Sequence, residues 1–76
     1  MTPEAIALAE RIKDAIRGCR SIPEVKLRWS EWWVKVQDLK ANPETMVLAI
    51  QCKSLADVWI QRLADGWTPE QMGGAG

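Results

Sequence analysis

The stretch SIPEVKLRWSEWWVKVQDLK, residues 21–40, decides the fold. It admits two readings. Val25, Leu27 and Trp29 alternate as a half-buried strand would. Ile22, Val25, Trp29, Trp32, Val36 and Leu39 instead step by three and four, and this pattern covers far more of the stretch. Residues at that spacing share one side of a helix. On the other side Glu24, Arg28, Glu31, Lys35 and Asp38 alternate in sign, which marks a solvated ladder. A helix over 22–40 is therefore expected. Ser21 supplies a capping oxygen, and Pro23 stands in the first turn, where its missing N–H had no partner to lose. Glu24 completes a capping box with Ser21.

The same punctuation recurs at Thr2-Pro3, Asn42-Pro43 and Thr68-Pro69. After the first pair, Ala5, Leu8, Ala9, Ile12, Ala15, Ile16 and Cys19 make one apolar stripe, with Glu10, Lys13, Asp14 and Arg17 on the other side. This predicts a helix over Pro3–Arg17. After Asn42-Pro43, the stripe Leu48, Ala49, Cys52, Leu55, Ala56, Trp59, Ile60 and Leu63 predicts one long helix from Pro43 to Asp65. Ser54 and Asp57 offer an alternative, a break near Ser54 and a fresh start. Gly66 reads as the glycine just past a helix end, with Trp67 folding back over the last turn. Thr68 and Gln71 fit a capping box for a short terminal turn, and GGAG reads as a frayed tail. Short connections make consecutive helices antiparallel neighbours. The expected architecture is all-α: a three-helix up-down-up bundle forming one domain over 1–67, with a short helical turn and flexible tail over 68–76. Trp29, Trp32 and Trp59 are expected in its core, because the chain has no Phe or Tyr.

Composition narrows the chemistry. The chain has 76 residues, 47% of them hydrophobic, and ten cationic side chains balance ten acidic ones. A chain this size buries only about 60% of its unfolded surface. Zero net charge argues against a general polyanion binder and leaves little repulsion between copies. The absence of histidine removes the commonest general base and metal ligand. Cys19 and Cys52 both fall in core stripes, form no CxxC pair and have no histidine to activate them. The glycines sit at helix ends and in the tail, so no phosphate loop exists. A non-enzymatic protein follows, without cofactor, metal or small-molecule substrate. The longest plainly apolar run, MVLAI at 46–50, is far too short to span a membrane. With no signal-peptide pattern and two thiols, a reducing cytoplasm is the expected location.

Two sets of residues fall outside the core stripes. Leu27 and Val34 lie two turns apart on the far flank of the second helix, and Trp33 borders its stripe. Met46, Val47 and Ile50 make the first half of the third helix apolar nearly all round, and Val58 is an isolated outlier. Either the helices splay so that each buries two sides, or these residues meet another chain. The second option makes Leu27, Trp33, Val34, Met46, Val47 and Ile50 a partner-binding set. Self-association as a homodimer is its simplest form. Small all-helical chains often serve phages or mobile elements as inhibitors or adaptors that bind a larger host complex, and that analogy of size supplies the expected role. The alternative is a small DNA- or RNA-binding regulator. From Arg11 to Lys35 seven cations face three acids, and Arg17, Arg20, Lys26 and Arg28 form a basic corner around the first turn. No helix presents several Arg, Lys, Asn or Gln on one exposed face, as a recognition helix does.

Overall fold

Thr2 and Ser21 begin helices for the same reason. In the computed structural model, which describes residues 2–74, Thr2 Oγ1 accepts from the Ala5 N–H and Ser21 Oγ from the Glu24 N–H, both at 3.3 Å. Each oxygen satisfies a donor that the first helical turn leaves free. Helix α1 runs Pro3–Arg17, as predicted, and α2 runs Ile22–Ala41, one residue longer than predicted. Glu24 reaches back to the Arg20 N–H at 3.4 Å, so its carboxylate ties down the connecting turn as well.

The third start differs from expectation. Asn42 is not the N-cap of α3; it stands instead at the C-terminal end of α2. Its Oδ1 accepts from the Glu44 N–H at 2.9 Å and its carbonyl from the Thr45 N–H at 3.0 Å, which folds Asn42–Thr45 into a turn holding Pro43. Helix α3 begins only after that turn and spans Met46–Ala64. The buried Thr45 hydroxyl donates to the Leu39 carbonyl at 2.6 Å. That bond satisfies an acceptor left over at the end of α2 and fixes the turn between the two helices. Through Ser54 α3 is continuous, so the alternative break is absent.

Gly66 closes α3 with φ at +91°, a backbone state that favours glycine. The Gly66 N–H reaches the Leu63 carbonyl at 3.2 Å and the Trp67 N–H reaches the Arg62 carbonyl at 3.0 Å. These are the paired bonds of a Schellman stop. Trp67 does fold back: the Arg62 guanidinium carbon lies 4.9 Å from its ring centroid. Helix α4, Pro69–Gly74, opens on a reciprocal box in which Thr68 Oγ1 accepts from Gln71 N–H and Gln71 Oε1 from Thr68 N–H. Gly73 and Gly74 of the expected tail close α4, and Ala75 and Gly76 lie outside the described residues.

The three main helices form an all-α bundle. Contact is most extensive between α2 and α3, less so between α1 and α3, and least between α1 and α2. The core has two parts. Ala9, Ile12, Val36, Leu39, Leu48, Ala49 and Cys52 pack at one end. Ile16, Cys19, Val25, Ala56, Trp59 and Met72 pack at the other, so α4 contributes a buried side chain to the bundle. Trp59 is buried as expected, but Trp29 and Trp32 are only half-buried. The floor is filled by Val, Ile, Leu, Ala and Cys, and the two indoles lie at its border. Trp29 packs against both core parts.

Candidate functional site

The antiparallel packing of α2 on α3 leaves a furrow on one side. Its larger cleft, about 210 Å³, has Trp29, Trp33 and Val36 on the α2 side and Ala49 and Ile50 on the α3 side. Small Ala49 gives the cleft its depth, because no side chain beyond Cβ fills the space beside Val36. Gln37, Lys40, Lys53 and Ser54 complete the lining. A second cleft of about 130 Å³ continues it past Val25, Lys26, Ala56 and Ile60. Trp29 and Lys53 line both. The Trp29 and Trp33 rings meet edge-on, with centroids 6.3 Å apart and planes at 61°. Trp33 remains 48% exposed despite that contact.

All six residues of the apolar set remain exposed, from 40% at Met46 to 68% at Val34. The open contact between α1 and α2 therefore hides none of them. The structure brings Trp33 and Ile50 together across the furrow. Leu27 and Val34 line neither cleft and form a separate apolar strip on α2. Met46 and Val47 stand in the first turn of α3, also outside the clefts. Ile6, exposed on α1, has no place in the sequence reading. Gln37, Lys40 and Lys53 were missed as well. The signal was present: Gln37 and Lys40 follow Trp33 by four and seven, and Lys53 follows Ile50 by three.

The basic corner is partly neutralised. Arg17 pairs with Asp14 at 3.0 Å and Arg28 pairs with Glu31. Arg17 and Arg20 line a polar cleft of about 230 Å³ with Gly18, Cys19 and Glu70. Lys26 lies apart from it, in the furrow.

Both cysteines are free and buried. Cys19 Sγ donates to the Ala15 carbonyl at 3.3 Å and Cys52 Sγ to the Ala9 carbonyl at 3.6 Å. Burial pushes the Cys52 thiol up, against a smaller opposing pull from Lys13. Burial also raises Cys19, aided by Glu24 and opposed by Arg28. Neither thiol is poised as a nucleophile, since the thiolate is the reactive form. Among the described residues no group of three or more potential ligands is placed to hold a metal ion. No helix among them is long and apolar enough to cross a membrane. In comparison with known proteins, no family model, curated protein or solved structure matches the chain.

Proposed function

We propose that the chain is a non-enzymatic protein-binding module of the reducing cytoplasm, of the kind that serves phages or mobile elements as an inhibitor or adaptor. The observation that carries this reading is the exposed pair Trp33 and Ile50, which face each other across a cleft floored by Val36 and Ala49. Tryptophan is enriched among the residues that carry most of an interface's binding energy, and here it borders an apolar cleft that a partner would desolvate. Leu27 and Val34 add a second apolar strip on the same helix. The test combines light scattering with affinity capture from the native host. Wild type is compared with Leu27→Glu/Val34→Glu and with Trp33→Ala/Ile50→Glu. One of the two variants is expected to lose partners or self-association that the wild type retains. A monomeric wild type whose captured proteins are unchanged in both variants refutes the reading.

A nucleic-acid contact is the second reading. In its favour, Arg20 and Lys26 join none of the ion pairs among the described residues. It predicts salt-sensitive DNA or RNA binding that disappears when Arg17, Arg20, Lys26 and Arg28 are neutralised. Binding indifferent to that change removes the corner from consideration.

A further inference from the structure

The furrow also carries information about the chemistry of its occupant. Its floor is apolar and its rim is cationic: Lys40 borders the larger cleft, Lys26 the smaller, and Lys53 both. Asp57 is the one acid in the lining, and Lys53 already holds it at 2.7 Å. Neither Lys26 nor Lys40 joins an ion pair among the described residues. The furrow thus presents apolar surface edged by uncompensated positive charge in a chain whose net charge is zero.

We propose that the α2–α3 furrow docks an acidic amphipathic segment of a partner protein. Apolar side chains of that segment seat over Val36 and Ala49, between Trp33 and Ile50, and its carboxylates meet Lys26 and Lys40. This rests on the protein-binding reading and specifies the partner. A second copy of the chain fits the furrow poorly. A two-fold interface presents the same patch from both sides and sets lysines against lysines. A nucleic acid fits less well too. Phosphate tracks call for dense cations, whereas here the lysines are spread along an aliphatic floor and one is neutralised by Asp57. Trp29 and Trp33 meet at 61°, so they offer no parallel faces between which bases would stack.

The test pans an unbiased display library of about 15-residue peptides, long enough for a helix of several turns, against the full chain. Lys26→Glu/Lys40→Glu, Ile50→Glu and Leu27→Glu/Val34→Glu are panned in parallel. All of these side chains are exposed, and circular dichroism checks that each variant is folded. Enriched peptides are expected to carry Asp or Glu around an apolar stripe. Their affinity is expected to fall by about tenfold in the lysine double variant, and as salt rises. Ile50→Glu is expected to weaken them as well, and Leu27→Glu/Val34→Glu to leave them unchanged. Basic or uncharged consensus peptides, or equal affinity for the lysine double variant, overturn the proposal. Peptides lost only in Leu27→Glu/Val34→Glu overturn the furrow while sparing the protein-binding reading. No enrichment at all counts against both. A single-stranded oligothymidylate that shifts the Trp33 and Ile50 amide resonances, where the acidic peptides do not, gives the furrow to nucleic acid and overturns the proposal.

Discussion

Gly18 and Gly66 both end helices, yet only one of them needs to be glycine. Gly66 sits at φ +91° with open space where a Cβ would stand, so an alanine there suffers backbone strain rather than collision. Gly66→Ala is expected to cost about 1 kcal/mol or more. Gly18 has φ −79°, and a Cβ there would lie 3.6 Å from the nearest atom, the Asp14 carbonyl oxygen. Gly18→Ala is therefore expected to be neutral or to stabilise by up to about 1 kcal/mol, by restricting the unfolded chain. Urea denaturation of the two variants side by side checks the contrast. The thiols make a second prediction at this scale. Burial holds both above the ordinary value of 9.0, so the unfolded chain gives up these protons first as pH rises. The folded state then binds more protons than the unfolded one, and stability falls with increasing pH above that value. Cys19→Ala/Cys52→Ala should flatten this alkaline decline. An unchanged slope in the double variant would mean that other groups cause it.

Elements were legible wherever their signals are local. The caps at Thr2, Ser21 and Thr68 act within three residues, and each does what its sequence position implies. Gly66 and Trp67 also act locally. The start of α3 was not legible, because Asn-Pro serves an Asx turn as readily as a helix cap. What decides between them is the Thr45 hydroxyl, which satisfies a carbonyl six residues back at the end of the preceding helix. Periodicity does not record such a bond. It also reports the direction of a side chain and not its depth, which is why Trp29 and Trp32 were expected deeper than they lie. The furrow needed both limitations lifted. Trp33 and Ile50 stood out singly in the sequence, but only the pairing of α2 with α3 puts them on one cleft. The continuity of α3 has its own test. Ser54→Pro falls in a helix interior, where the lost N–H and the clash with the preceding turn cost about 3 kcal/mol or more. At a true helix start a proline is tolerated. Near-wild-type thermal stability of Ser54→Pro would therefore show that the helix breaks there.

At the scale of the whole molecule, the Cα positions fill a slab of 36 × 22 × 14 Å, with the core divided along the bundle. Trp29 packs against both parts. Removing its ring should uncouple them. In Trp29→Ala, the backbone amides of Ile12 and Trp59, one from each part, are expected to exchange hydrogen at clearly different rates. In the wild type the two should report nearly the same opening free energy. Equal protection at both sites in the variant would show that the helices alone carry cooperativity. The same indole lines both clefts of the furrow. A guest lying along it would therefore act as a splint, bracing the two ends through the one ring they share. Occupancy would then be readable beyond the furrow's own lining, as a slowing of exchange at Ile16 and Met72, which line neither cleft but pack in the same part of the core as Val25 and Ala56.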